Sequence, residues 1–86
     1  MKHFASPDFW ALFNALPSEI QDLARQNFEV LKDNPRHPSL RLKRAGDYWS
    51  VRVGRKFRAL GKDVDGGILW SWIGSHEEYE RLLGHL

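Results

Sequence analysis

The chain has no cysteine in its 86 residues. That excludes disulfide staples, a thiolate nucleophile and any cysteine-ligated zinc. No apolar run approaches the roughly 20 residues of a membrane-spanning helix. The first residues lack the basic start and apolar stretch of a secretory signal, so the expected location is cytoplasmic. Low-complexity tracts and internal repeats are absent too. What is present is 42% hydrophobic sequence with four Trp and five Phe. That suffices for one modest core and not for two, so residues 1–86 are expected to form a single domain.

The net charge of +2 is unevenly placed. Residues 1–34 sum to −2, residues 35–63 to +7 and residues 64–86 to −3. The middle segment sets nine basic side chains against Asp47 and Asp63. Lysines and arginines guarding strand edges are the simpler account. Nine against two exceeds what edges need, and a local field of that sign favours a polyanion.

Helices come first. Ser6-Pro7-Asp8 supplies a hydroxyl N-cap, a proline at the first helical position and an acid in the first turn. Phe9, Leu12, Phe13 and Leu16 follow at helical spacing. Pro17-Ser18-Glu19 starts a second helix with Ile20, Leu23, Ala24, Phe28 and Leu31 on one stripe. It should stop before Asn34-Pro35, because a residue preceding proline resists helical geometry.

From Leu40 the period becomes two. Leu40–Arg44, Tyr48–Val53, Phe57–Val64 and Gly67–Ile73 read as a four-stranded antiparallel meander. An Asp65-Gly66 turn pairs Val64 with Gly67, Gly61 with Trp70 and Ala59 with Trp72. Near Gly54, a two-residue loop would mix Val51 with Arg58 on one face. A three-residue loop pairs Val53 with Phe57 and Arg52 with Arg58, and keeps the apolar residues together. An Ala45-Gly46 turn would pair Leu42 with Trp49 and Leu40 with Val51.

The expected core face holds Leu40, Leu42, Trp49, Val51, Val53, Phe57, Ala59, Ile68, Trp70 and Trp72, and receives the two helices. The opposite face holds Arg41, Lys43, Tyr48, Ser50, Arg52, Arg58 and Lys62, beside Leu60, Leu69, Ser71 and Ile73. Trp10 is expected to be partly exposed. His3, His37 and His85 read as isolated, and Asp63 and Asp65 as turn residues. Ser75 and Glu78 have capping-box spacing, so a short C-terminal helix should begin beside His76, with Tyr79, Leu82 and Leu83 as its apolar stripe and Gly84 at its end. The fold class is therefore α+β.

Three stretches resemble the RelE/ParE toxin superfamily: Tyr48-Trp49-Ser50-Val51-Arg52-Val53-Gly54, then Phe57-Arg58-Ala59-Leu60, then Trp72-Ile73-Gly74-Ser75-His76-Glu77-Glu78-Tyr79. The Asn34-Pro35-Arg36-His37-Pro38 linker and the two helices fit the same pattern. The resemblance implies a toxin of a bacterial type II toxin–antitoxin pair, with a small acidic antitoxin encoded adjacently. Toxins of the RelE branch cut mRNA, commonly in the ribosome; those of the ParE branch inhibit DNA gyrase without nuclease activity.

The nuclease chemistry needs a base for the 2′-hydroxyl, an acid for the leaving 5′-oxygen and cations for the phosphorane, with no metal or cofactor. By resemblance, Arg58 is the phosphate-stabilising arginine and Arg52 a second basic position. His76 and Tyr79 are the acid–base candidates. Lys43, Arg41 and Lys62 are expected along the RNA backbone. Simpler roles stand beside these: edge or ion-pair arginines, a capping histidine and a core tyrosine. Two facing arginines repel, however, and an anion between them accounts for their placement.

Overall fold

The computed structural model describes residues 2–84; His85 lies outside them. Lys2–Ala5 forms a strand, β1. Ser6 then caps α1 (Pro7–Asn14), its Oγ accepting from Phe9 N at 3.1 Å. Leu12 and Phe13 carbonyls close the helix, and α2 (Ser18–Asp33) follows at once. As the proline predicts, α2 ends at Asn34. Next come a 3₁₀ turn (Pro38–Leu40), β2 (Lys43–Ala45), β3 (Tyr48–Val53), β4 (Phe57–Val64), β5 (Gly67–Ser75) and α3 (His76–Gly84).

The sheet has five strands in the order β1-β5-β4-β3-β2. It is mixed, because β1 runs parallel to β5, pairing His3 with Ile68 and Ala5 with Trp70. The four-stranded antiparallel expectation is corrected here. Four residues are too few to display a period, and the partner strand lies more than sixty residues away in the chain. The other three pairings are antiparallel.

Both sides of the sheet are used. Phe13, Leu31, Leu40, Val51, Val53, Ala59, Ile68, Trp70 and Ile73 form the core, with α1 over β5 and α2 over β3. Gly61 faces Trp70 as expected: a methyl group there would lie 2.8 Å from the indole and 2.6 Å from Ile68. The small residue is what lets the large one pack. Trp10 is 49% exposed.

Four expected pairings hold and two hairpins are revised. Val53 pairs with Phe57, Arg52 with Arg58, Val64 with Gly67 and Gly61 with Trp70. The first hairpin, however, turns on Gly46-Asp47, pairing Ala45 with Tyr48 and Arg44 with Trp49 in place of Leu42. Gly46 has φ +63°, and glycine tolerates that conformation at the first central position where alanine does not. The same shift leaves Leu40 fully buried in the 3₁₀ turn and outside any strand.

The second revision is larger. Between Leu60 and Gly61 the β4–β5 register slips by one. Gly61 still meets Trp70, but Leu60 meets Trp72 and Ala59 meets Ile73, leaving Ser71 as the extra residue of a β-bulge. Beyond the bulge every β5 side chain changes face. Ile73 enters the core and Trp72 leaves it, reversing the expected positions of both.

Candidate active site

The face turned away from α1 and α2 carries Lys43, Tyr48, Ser50, Arg52, Arg58, Leu60, Lys62, Leu69, Trp72 and Gly74, as the registers place them. None of these residues is acidic. Arg52 and Arg58 are direct cross-strand partners. Arg52 turns its Nε toward the Gly54 carbonyl at 2.7 Å, which anchors the near end of its guanidinium. Arg58 lies over the Tyr79 ring, 5.5 Å from its centroid. Arg58 Nη1 is buried with no hydrogen-bond partner among the described residues. Two more polar atoms share that condition: Ser50 Oγ and Tyr79 Oη.

The C-terminal helix closes one end of this face, packing against β4 and β5. Its start is a capping box. Ser75 Oγ accepts from Glu78 N at 3.1 Å, and Glu78 Oε1 accepts from the Ser75 hydroxyl at 3.0 Å. His76 N donates to the Lys56 carbonyl at 2.6 Å, tying the helix start to the loop before β4. The His76 ring is half-buried, with Nε2 3.3 Å from Glu80 Oε1 and its centroid 5.9 Å from that of Tyr79. Tyr79 is only 3% exposed, so it supports the Arg58 guanidinium from beneath.

The remaining sequence candidates divide. Lys43 and Lys62 lie on the same face, with Lys62 Nζ 5.3 Å from the Tyr48 ring centroid. Arg41 does not join them. It follows the 3₁₀ turn in a left-handed conformation, φ 47°, off the sheet and exposed. Leu60, placed on this face beside Leu69 as expected, is only 5% exposed.

Two features were missed in the sequence. Asp63 belongs to β4 and not to a turn. It accepts from Trp49 Nε1 at 2.8 Å and pairs with Arg44, whose guanidinium stacks 4.2 Å from the Trp49 ring centroid. Those hydrogen bonds, Trp49's foremost, hold its carboxyl below the usual range. Arg44 is thereby committed to the sheet edge. His3 is likewise not isolated: Trp70 Nε1 donates to its Nδ1 at 3.1 Å. Burial, with the charge of Lys32 adding, lowers the His3 pKa.

The model of the ParE-like toxin domain matches residues 18–81, from α2 through most of α3. The chain belongs to this family, within the RelE/ParE superfamily. The fold of this ParE-like toxin is similar to that in the crystal structure of the RelB–RelE antitoxin–toxin complex from Methanococcus jannaschii. The TM-score is 0.69 over 92% of this chain and 96% of that chain, at 13% identity. None of the curated proteins matches the sequence. Arg52, Arg58, His76 and Tyr79 all fall inside the matched toxin segment. The toxin also has a groove of about 460 Å³ between its helices and sheet, lined by Phe9, Trp10, Phe13, Phe28, Val51 and Trp70. That groove is apolar and on the far side of the sheet from the arginines. No helix among the described residues is long and apolar enough to cross a membrane.

Proposed function

We propose that this toxin is an endoribonuclease that cuts mRNA and so represses translation. The observation that carries the reading is Arg52 facing Arg58 on a strand surface without carboxylates, beside His76. A phosphodiester between the guanidiniums relieves their repulsion. His76 takes the proton of a ribose 2′-hydroxyl. The oxygen attacks the adjacent phosphorus, and the arginines stabilise the added charge of the phosphorane. The phosphorus–5′-oxygen bond breaks, leaving a 2′,3′-cyclic phosphate, and solvent protonates the departing oxygen. The step calls on no metal or cofactor. Tyr79 holds Arg58 in place, and Lys43 and Lys62 track the flanking phosphates.

An antitoxin is the expected partner, in keeping with the RelB–RelE complex that the fold resembles. Acidic side chains would neutralise Arg52, Arg58, Lys43 and Lys62, and apolar ones would cover Leu69 and Trp72. A second reading, a non-nucleolytic toxin acting on DNA gyrase, draws on the ParE-like description of the matched family. Primer extension on mRNA after induced expression separates the two. New 5′ ends within coding regions are expected, and His76→Gln should reduce their yield by about 10²–10⁴-fold. Intact mRNA accompanied by gyrase-dependent DNA damage would overturn the nuclease reading.

A further inference from the structure

Trp72 occupies a position that core packing does not explain. A regular β5 strand would have buried it beside Trp70, and the bulge at Ser71 turns it to the basic face. It is half-buried there. Trp49 and Trp70 both commit their indole N–H groups, to Asp63 and His3. Trp72 makes no such bond among the described residues. A side chain with so large an apolar surface gains less at a half-open site than in a core, so packing alone gives no reason for the bulge.

The neighbour two residues on supplies a reason. Gly74 is the cross-strand partner of Arg58 and shares the face of Trp72. A Cβ at Gly74 would lie 2.5 Å from Trp72 Cζ2 and 2.9 Å from Cη2. The six-membered ring of the indole therefore lies across the bare backbone of Gly74. Residues two apart on a strand are separated by about 7 Å, and the indole spans that gap toward the row of Arg52 and Arg58. A flat aromatic surface ends beside the paired guanidiniums, with Lys43 and Lys62 on the same carboxylate-free face.

We propose that Trp72 is a stacking platform for a nucleobase of single-stranded RNA, seated next to the phosphate held by Arg52 and Arg58. The proposal rests on the RNA-binding half of the nuclease reading, not on the cleavage step. Charge selects a polyanion, and a half-open π-face among cations selects one whose bases are unstacked and available. A duplex, with its bases turned inward, offers nothing to the indole. Glycine at position 74 keeps the platform flat against the sheet.

The test compares two probes by fluorescence anisotropy. One is a short single-stranded RNA protected from cleavage by 2′-O-methyl groups. The other is an abasic sugar–phosphate oligomer of the same length. Trp72→Leu should weaken binding to the base-bearing strand by about tenfold and leave the abasic oligomer unchanged. Trp72→Phe should restore most of the loss, which also controls for folding. Arg58→Met should weaken both probes. If Trp72→Leu binds the base-bearing strand as tightly as the wild type, or weakens both probes equally, the platform is refuted while cleavage can stand. If the RNA binds through Trp72 but no cleavage is found in cells, the nuclease reading falls and the platform remains. Failure of the wild-type toxin to bind either probe removes both.

Discussion

Replacing Arg58 by methionine should abolish toxicity and, against the usual trend for a half-buried residue, leave the protein slightly more stable. Three contributions decide the sign. The buried and unpartnered Nη1 carries a desolvation cost of about 1–3 kcal/mol, taken at the low end because the residue is half-buried. Opposing it is the contact of the guanidinium with Tyr79, 5.5 Å from the ring centroid, worth about 0.5–2 kcal/mol. Methionine keeps most of the apolar stem and offers sulfur to the same ring, recovering about 0.3–1.5 kcal/mol. Relief of the repulsion from Arg52, the direct cross-strand partner, acts in the same direction and adds about 0.2–1 kcal/mol. The balance favours the variant by about 1 kcal/mol, or a rise in Tm of roughly 4–8 °C for a domain of this size. Urea denaturation followed by tryptophan fluorescence measures it, with an unchanged m-value as the check on two-state behaviour. Growth after induced expression gives the toxicity. A loss of more than about 2 kcal/mol would show that Arg58 is held for the fold. Undiminished toxicity would remove it from the site.

Acidification should destabilise the toxin through His3. Its folded pKa is lowered, so the unfolded chain binds the proton more readily; stability is complete above about 6.5 and falls as pH drops toward the folded value. Thermal melts across pH 7 to 5 should slope less steeply in His3→Gln, and identical slopes would exclude His3 as the cause. In Gly67→Ala, the new methyl group would fall on the Lys2 carbonyl, detaching the start of β1 with its Lys2 N to Gly66 carbonyl bond. The expected cost is about 2–3 kcal/mol in urea, with faster amide exchange confined to β1 and its neighbours. Deletion of Ser71 should be tolerated within about 2 kcal/mol: Trp70 would still meet Gly61 and Trp72 would still meet Leu60, so no side chain changes face. An unfolded product would refute the assigned bulge.

Local chemistry written within a few residues was legible. The Ser6 cap, the Ser75–Glu78 box, the Asp65-Gly66 turn and the three-residue loop after Val53 each depend on neighbours in the chain, and the structure contains all four. The pairing of Arg52 with Arg58 followed from that loop length alone. Three things escaped the sequence for physical reasons. The parallel pairing of β1 is set by contacts across the whole chain. Arg41 lost its place on the sheet because burial of Leu40 in the 3₁₀ turn outweighed continuation of the strand. The bulge had no local mark, because Trp72 and Ile73 are both apolar and either can be written into a core.

The two faces of the sheet differ in how well their residues agree with ordinary packing rules. On the helix side, Trp70 has both a small partner in Gly61 and a bonded N–H, and Asp63 near the edge is fully engaged by Trp49 and Arg44. On the other side lie two facing arginines, three buried polar atoms without partners, and a tryptophan turned out of the core by a bulge. The facing arginines and the outward tryptophan are unfavourable for an isolated protein, and under the proposed reading both become favourable when a nucleic acid arrives. An anion satisfies the arginines, and a planar base covers the indole. A fold selected for stability alone would place Met or Leu at position 58 and keep β5 regular. Departures from consistency that converge on one surface, and that one ligand chemistry would correct together, mark that surface as selected for binding.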